Sequence, residues 1–367
     1  MLRIGIVGCG KIADQHALAI RRISDCQIVA VCDRELLMAS QLGERFGIPE
    51  CFSDFGQMLQ SAALDVVHIT TPPQGHYLLA RQCLEARCHA YLEKPFTVRT
   101  DEAAELIKLA DGAGLKITAG HNLQVTFESS EMRRLVKEGF LGGKAVHVES
   151  YFSYDLGDAS YVGPVVNSRA HWVRQLPGQL LHNIVSHGIA KLVEFLDDEI
   201  EEIIATAHQS ARLRELGGQE VLDELRVMIR DRSGTTAYFC FSTKFRPGLN
   251  QLRIFGPANS IVVDHSSGSL IRHRNQSCKS YLTYFLPPLR SAREHIRCAG
   301  VNAMNFCRRR LHQDYGMKEL IERFYISIRT GGPPPIPYRE IMLTSRIMDE
   351  IFTQIYPNQK RTAVIDY

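Results

Sequence analysis

The chain has no long apolar run, little net charge and a single tryptophan, and these shortages exclude several classes of protein. No stretch reaches the roughly eighteen apolar residues that a membrane-spanning helix needs. A formal charge of +3 over 367 residues gives no reason to expect nucleic acid or a membrane surface as a partner. The first residues lack the basic segment and long apolar core of a secretory signal. We therefore expect a cytoplasmic protein that acts on a small molecule.

The ten cysteines include no C-x-x-C pair and no regular framework of close spacings. This distribution is typical of reduced thiols rather than disulfides. The nearest approach to a metal-binding set is Cys83, Cys88 and His89, which lacks further ligands close by in the sequence. Buried thiols explain this group better than a metal does, and we expect no metal site.

A glycine turn near the start of the chain is the most informative motif. The β-branched run Ile4 to Val7 is followed by Gly8-x-Gly10-x-x-Ala13 and then by helical apolar spacing. In a dinucleotide-binding turn, the first glycine permits the tight bend and the second lets backbone N–H groups approach a pyrophosphate. The small third residue lets the helix lie close to the strand.

An acidic residue follows at the position where such a fold binds a ribose. Asp33 ends a second apolar strand, twenty residues after Ala13. Its carboxylate would accept hydrogen bonds from the ribose hydroxyls and repel a 2′-phosphate, so NAD is favoured over NADP. The neighbouring Arg34 could stack on adenine or pair with a phosphate, which keeps NADP as the weaker alternative.

The order of predicted elements indicates two domains of different class. Strands and helices alternate up to about residue 122, which predicts a doubly wound parallel Rossmann sheet over 1–122. From 123 to 367 the strands become longer and alternate polar with apolar residues, which predicts an α+β domain with a large, mostly antiparallel open sheet. Two helices and a last short strand are expected to end the chain.

Residues 270–316 fit this pattern least and are treated as a possible insertion. They are basic, with aromatic residues between the arginines. We expect solvated arginines on an amphipathic helix there, in preference to a nucleic-acid or membrane patch.

The order of motifs resembles the Gfo/Idh/MocA family of glucose–fructose-oxidoreductase-like dehydrogenases. The matching residues are the glycine turn, Asp33, the Glu93-Lys94-Pro95 tripeptide after a Rossmann strand, and His187 on a helix after Pro177. The resemblance implies hydride transfer between a sugar or cyclitol carbon and a nicotinamide, with oligomer contacts through the open sheet of the second domain. It also implies that Lys94 contacts the reacting oxygen and the cofactor, and that His187 is the acid/base.

Two positions of that helix depart from the family pattern. Asn183 replaces an aspartate one turn before His187, and Ala190, followed by Lys191, replaces another three residues after it. Fewer negative charges favour an anionic substrate such as a phosphorylated or nucleotide-linked sugar. His182 competes with His187 as the acid/base, but it lies five residues earlier and is rotated by about 140° around the helix.

The candidate residues fall into three groups. Catalysis is assigned to Lys94, His187 and Asn183. Cofactor binding is assigned to Gly8, Gly10, Lys11, Ile12, Ala13, Asp33, Arg34, Thr71, Pro72, His76, Glu93, Lys94 and Asn122. Substrate binding is assigned to Lys94, His121, Arg169, His171, Trp172, His182, Asn183, His187 and Lys191.

Two other functions are compatible with these residues. One is a regulatory protein that binds the dinucleotide without turnover, which the changes at Asn183 and Ala190 would favour. The other is a lyase or hydrolase that uses bound NAD in a transient redox step. For the leading interpretation we expect a dehydrogenase that works with NAD as a homodimer or tetramer.

Overall fold

The computed structural model describes residues 1–156, 163–166, 168–217, 220–275, 279–311 and 315–357. The chain divides into two units. The first contains Met1–Asn122 together with C-terminal helical residues up to Asp349, and the second contains the intervening segment and the last helical turn.

The first unit is built on a six-stranded parallel sheet in the order β3-β2-β1-β4-β5-β6. This order is that of a Rossmann fold, in which the crevice lies where the strand order reverses, between β1 and β4. The strands are β1 Leu2–Val7, β2 Cys26–Cys32, β3 Glu50–Phe52, β4 Val66–Ile69, β5 His89–Leu92 and β6 Ile117–Ala119. The parallel Rossmann sheet predicted for this part of the chain is confirmed, but the short edge strand β3 was not predicted. Three residues are too few to produce a recognisable periodicity.

Helices connect the strands of this unit in the expected places. They are α1 Lys11–Ile20, α2 Leu36–Phe46, α3 Phe55–Ser61, α4 His76–Glu85 and α5 Thr100–Ala113. Gly47 and Gly114 end α2 and α5 in the left-handed conformation that favours glycine. Cys83 and Cys88 are buried, and the thiol of Cys88 donates to the Leu64 carbonyl at 3.2 Å.

The second unit is built on a seven-stranded sheet in the order β13-β12-β11-β7-β10-β9-β8. All neighbours are antiparallel except β7 and β10. The strands are β7 His147–Ser153, β8 Ile200–His208, β9 Glu224–Asp231, β10 Thr236–Ser242, β11 Asn250–Phe255, β12 Asn259–Asp264 and β13 Ser269–Arg274. The mostly antiparallel sheet is therefore confirmed. One side of β8 and β9 stays exposed, with Met228 60% accessible to solvent.

The remaining helices are α6 Phe127–Lys137, α7 Gln179–Ala190, α8 Ala211–Glu215, α9 Leu286–Cys307, α10 Tyr315–Thr330 and α11 Tyr338–Ile355. Helix α7 packs closely on the sheet, because a β-carbon on Gly188 would come within 2.1 Å of the Phe239 ring. A β-carbon on Gly178, which precedes α7, would come within 2.3 Å of the Phe352 ring. Glycine is thus required by close packing at both positions. The expected last strand lies outside the described residues.

The expected division of the chain into two domains at residue 122 is wrong for the C-terminal helices. Helix α10 and most of α11 were placed with the second domain, but they lie in the first unit. Tyr325 of α10 hydrogen-bonds His68 of β4 at 2.8 Å, and Asp349 of α11 accepts the Thr100 backbone N–H at 3.0 Å. Helical periodicity shows which side of a helix is apolar but not which sheet it covers.

Candidate active site

The glycine turn between β1 and α1 has the geometry of a phosphate-binding turn. Gly8 has φ +92°, and a β-carbon there would come within 2.8 Å of the Thr71 backbone nitrogen. Gly10 is the N-cap of α1, and a β-carbon there would meet no atom within 4 Å. Ala13 is fully buried, whereas Lys11 is exposed. Open space above Gly10, beside the N-terminus of a ten-residue helix, suits a pyrophosphate group.

Asp33 at the end of β2 is tied to this turn. One carboxylate oxygen accepts the Cys9 backbone N–H at 2.7 Å, and the other accepts the Glu35 backbone N–H at 3.0 Å. A carboxylate has about four lone-pair sites, so two backbone hydrogen bonds leave capacity for ribose hydroxyls. Asp33 is half-buried and Arg34 beside it is exposed. The structure therefore holds Asp33 in a fixed orientation next to the turn.

The Glu93-Lys94-Pro95 segment continues from β5. Glu93 is buried, and its Oε2 accepts the Lys94 backbone N–H at 3.2 Å. Gly120 leaves room for this carboxylate, since a β-carbon there would lie 2.9 Å from Glu93 Oε1. The Lys94–Pro95 peptide is cis. Burial lowers the pKa of Lys94, and the negative charge of Glu93 acts against that effect.

His76 has a different role from the predicted one. It was expected to bind the cofactor, but it is fully buried and its two ring nitrogens each lie 3.0 Å from a backbone carbonyl. These carbonyls belong to Pro95 and Thr71. His76 therefore connects the loops that follow β4 and β5, and its ring nitrogens are occupied by backbone.

A chain of buried side chains leads from Glu93 through the first unit, and we call it the histidine relay. His16 Nε2 lies 2.9 Å from Glu93 Oε1, and His16 Nδ1 lies 2.8 Å from His68 Nδ1. His68 Nε2 lies 2.8 Å from the Tyr325 hydroxyl. With neutral rings only one proton arrangement satisfies all three contacts: Tyr325 donates to His68, His68 to His16, and His16 to the Glu93 carboxylate. Burial lowers the pKa of His68, which favours its neutral form.

The loops after β4 and β6 supply the other predicted residues of the first unit. Thr71, Pro72 and Asn122 are half-buried at the carboxyl ends of the strands, where ligands of such sheets bind. His121 is buried, and its pKa is lowered to about 4 by burial and by the positive charge of Lys94. His121 is therefore a neutral side chain at physiological pH.

In the second unit, α7 aligns three of the predicted residues. Asn183, His187 and Lys191 are spaced by four residues and so lie along one side of the helix. Asn183 and His187 are half-buried. The Phe152 ring of β7 lies beside them, with its centroid 6.0 Å from that of His187 and 5.8 Å from Lys191 Nζ. This arrangement places an amide, an imidazole and an ammonium in one row.

Lys191 is far more buried than a surface ligand-binding lysine. Its residue is only 3% exposed, and Nζ donates to Asn250 Oδ1 at 2.8 Å. Burial lowers its pKa to about 7, while the negative charge of Asp264 acts in the opposite direction. Lys191 is therefore partly neutral at physiological pH, and a nearby anion would favour its protonated form.

His182 does not belong to this row, which corrects its assignment to substrate binding. It is 1% exposed and stacks on Phe352, with ring centroids 4.6 Å apart. Burial lowers its pKa to about 3. Both ring nitrogens are buried and have no hydrogen-bond partner among the described residues. Of the two helix histidines, His187 is the one that lies in the row and is half-buried.

The remaining predicted substrate residues lie before α7. Arg169 is exposed and pairs with Glu220 at 3.4 Å. The half-buried His171 accepts the Val173 backbone N–H at 3.3 Å and stacks on Trp172, with ring centroids 5.6 Å apart. Arg169 is thus engaged at the surface, whereas His171 and Trp172 form an aromatic pair.

Sequence reasoning missed the residues that support the site from a distance in the chain. His16, His68 and Tyr325 come from three separate elements and show no motif. Phe152 and Asn250 lie in ordinary alternating strands. A histidine in the apolar strand β4 was the one available signal. Among the described residues no group of three or more histidine, cysteine or acidic side chains could hold a metal ion.

Models of known protein families match part of each unit. A sequence model described as an oxidoreductase family with an NAD-binding Rossmann fold matches residues 2–121. A second, described as the GFO/IDH/MocA C-terminal domain, matches residues 129–262. The chain belongs to the Gfo/Idh/MocA oxidoreductase family. The resemblance inferred from the motifs is therefore confirmed.

Relatives of this Gfo/Idh/MocA oxidoreductase include dehydrogenases named for sugars and cyclitols. It is 32% identical over 142 residues to D-glucoside 3-dehydrogenase of Escherichia coli, an alignment covering 38% of this chain and 40% of that protein. It is 22% identical over 295 residues to myo-inositol 2-dehydrogenase of Thermotoga maritima, covering 79% of this chain and 84% of that protein. The match to the first relative thus spans less than half of its length.

Solved structures show the same fold. The WlbA dehydrogenase from Bordetella pertussis, in complex with NADH and UDP-GlcNAcA, superimposes with a TM-score of 0.76 at 17% identity. The alignment covers 98% of this chain and 96% of that one. UDP-N-acetylglucosamine 3-dehydrogenase GnnA from Acidithiobacillus ferrooxidans gives a TM-score of 0.71 at 18% identity, covering 96% and 97%.

Proposed function

We propose that this oxidoreductase is an NAD-dependent dehydrogenase that oxidises a secondary hydroxyl of an anionic sugar derivative. The observation that carries the proposal is that each unit presents one group of functional side chains. One is Lys94, whose backbone N–H is bound by the buried carboxylate of Glu93 in the unit that also contains the glycine turn. The other is the row of Asn183, His187 and Lys191 along α7.

The chemistry needs a proton acceptor and a positive charge at the same hydroxyl. In the proposed reaction His187 takes the hydroxyl proton as the C–H bond breaks, and Lys94 stabilises the developing alkoxide. Bound NAD supplies the hydride acceptor. Glu93 restrains the Lys94 backbone, and Asn183 orients the substrate hydroxyl without taking a proton. In the reverse direction the same groups return the proton to a ketone.

Three features of the first unit support NAD as the cofactor. Gly8 and Gly10 give the turn its shape and its open space, and Asp33 is held beside it by the Cys9 N–H. An ionised carboxylate at this place favours two ribose hydroxyls over a 2′-phosphate. The match to an NAD-binding family description agrees with this assignment.

The charge of the second unit's row supports an anionic substrate. The resemblance implies that Asn183 and Ala190 stand where related chains carry aspartates, so the row has less negative charge. Lys191 adds a buried amine that a bound anion would keep protonated. A buried ammonium attracts an anion more strongly than an exposed one, because little water screens it. The relatives named for nucleotide-linked sugars are consistent with such a substrate.

The test is NADH formation with a panel of charged and uncharged probes. UDP-GlcNAcA and UDP-N-acetylglucosamine represent the anionic class, and myo-inositol and methyl glucoside the neutral class. We expect turnover with an anionic probe and at least tenfold lower kcat/KM with the neutral ones. Equal turnover of all four would refute the anionic specificity, and no NADH with any of them would refute the proposed reaction.

Variants separate catalysis from cofactor binding. We expect Lys94→Met and His187→Asn each to lower kcat by roughly a hundredfold or more, within the range for removal of one acid–base or charge-stabilising group. NADH binding, followed by nicotinamide fluorescence, should persist in both variants. Lys108→Met and His208→Asn change exposed residues of the same types and serve as controls with unchanged kcat.

A further inference from the structure

Helix α9 of the second unit is fixed to the edge of the sheet by one side only. It has 22 residues and is therefore roughly 33 Å long. Arg297 and the thiol of Cys298 donate to the Leu270 carbonyl of β13 at 2.8 and 3.1 Å. Arg272 of β13 pairs with Glu294 at 2.8 Å. These contacts determine which side of the helix faces away from the protein.

The outward side is apolar over the whole length of the helix. Its residues follow alternating steps of four and three, and all of them are exposed: Phe285, Leu289, Ala292, Ile296, Ala299, Ala303 and Phe306. We call this set the outer stripe. Leu289, Ile296 and Phe306 are 66%, 73% and 72% accessible. Contiguous apolar exposure of this kind marks a surface that is covered by a partner.

The charges around the outer stripe are almost all positive. Residues 279–311 contain seven lysines and arginines and one acid, Glu294. That acid is on the inner side and is engaged by Arg272 and Arg297. Arg290 and Arg293 are exposed along the helix, and three consecutive exposed arginines, 308–310, follow its end. A partner of this surface must therefore combine apolar groups with negative charge.

We propose that the outer stripe docks on an anionic phospholipid surface, with α9 lying in the plane of the headgroups. Such a surface supplies acyl chains for the stripe and phosphates for the arginines, whose long side chains reach the headgroups. Exposed Tyr281, Tyr284 and Phe285 at one end and Phe306 at the other are suited to the membrane interface. This proposal replaces the expectation that residues 270–316 carry only solvated arginines.

A second copy of the chain fits the same surface less well. Two such helices packed together would both carry the positive charge of residues 279–311, whose one acid, Glu294, is already engaged on the inner side. Insertion across a bilayer is a different matter, since no helix in the described ranges is long and apolar enough to span one. Docking at the surface needs only the amphipathic side of α9.

The test is co-sedimentation of the full chain with vesicles. Phosphatidylcholine vesicles containing phosphatidylglycerol should bind the protein at low salt, whereas pure phosphatidylcholine should bind it at least tenfold less. Arg290→Gln combined with Arg293→Gln should weaken binding by roughly thirtyfold, from about 1 kcal/mol per cation near such a surface. Leu289→Gln combined with Ile296→Gln should abolish sedimentation.

Controls separate this surface from general adhesion. Leu37→Gln changes an apolar side chain of α2 that is 68% exposed and should leave vesicle binding unchanged. Circular dichroism and NADH binding of each variant check its fold. Absence of binding to the anionic vesicles, or equal binding of the Leu289/Ile296 variant, would overturn the proposal. A fall in molecular mass of that variant by light scattering, without vesicle binding by the parent, would assign the stripe to a second copy instead.

Discussion

The histidine relay predicts that the buried hydroxyl of Tyr325 stabilises the first unit. Tyr325→Phe removes the proton that His68 Nε2 accepts at 2.8 Å and leaves that nitrogen buried without a donor. Loss of such a hydrogen bond costs about 1–3 kcal/mol. The effect should extend along the relay, because His68 orients His16, and His16 in turn donates to Glu93.

Tyr91→Phe is the matched control. Tyr91 is also fully buried, and its ring stacks on His68 with centroids 4.7 Å apart. Its hydroxyl, however, has no hydrogen-bond partner within the described part of the chain. Removal of this hydroxyl takes away a buried polar group that makes no bond, so we expect a neutral or slightly stabilising change.

Hydrogen–deuterium exchange read by mass spectrometry is the appropriate assay. The single tryptophan, Trp172, lies in the second unit, so its fluorescence does not report on the relay. In Tyr325→Phe we expect peptides of α1 and β4 to exchange roughly five- to 150-fold faster, as a loss of about 1–3 kcal/mol requires. Equal exchange in Tyr325→Phe and Tyr91→Phe would refute the relay.

Four further predictions address charge, cofactor and assembly. Since Lys191 has a pKa of about 7, its positive charge is lost as the pH rises through that value. The KM for UDP-GlcNAcA should therefore rise above about pH 7 in the parent protein but not in Lys191→Gln. Identical pH profiles of the two proteins would contradict a role of Lys191 in substrate binding. His182 has a pKa of about 3 in the folded protein, against a reference value of 6.5. As the pH falls below 6.5, the unfolded chain therefore binds the proton before the folded protein does. The free energy of unfolding should fall by about 2 kcal/mol by about pH 5. His182→Leu should remove that loss in urea titrations followed by Trp172 fluorescence, and an unchanged pH dependence would exclude His182 as its source. Asp33→Ser should weaken NAD binding at least tenfold and bring NADP closer to NAD in affinity, and titrations that leave the preference unchanged would reject Asp33 as the selecting residue. For the homo-oligomer that we propose to form through the open sheet, Met228→Glu should lower the mass measured by light scattering, and a parent that is already monomeric would contradict it.

Much of the fold of the first unit could be predicted, because the sequence motifs that indicate it are made of residues close together in the chain. The glycine turn requires Gly8 for its positive φ, and Gly10 leaves open space in which a pyrophosphate could approach the backbone. Both needs restrict the residue type within a few positions. Asp33 follows at a fixed distance because the helix and second strand between them have a nearly constant length. Such constraints are visible in a single sequence.

The features that were mispredicted or missed depend on contacts between distant residues. Nothing near His182 in the sequence indicates that Phe352 covers it, and His76 gave no sign that the carbonyls of Thr71 and Pro95 would occupy its ring. An amphipathic helix was expected in the segment that contains α9, but its sequence does not show which side packs on the sheet. The contacts of Glu294, Arg297 and Cys298 with β13 establish which side of that helix remains uncovered.

The central claim is that Lys94 and His187 act on one substrate oxygen beside bound nicotinamide. A crystal structure of the protein with NADH and UDP-GlcNAcA tests it most directly. The account predicts that Nζ of Lys94 and a ring nitrogen of His187 both lie about 3 Å from the same sugar oxygen. A complex in which those two groups contact different parts of the ligand, or in which either is more than about 6 Å from the carbon that faces the nicotinamide, would contradict it.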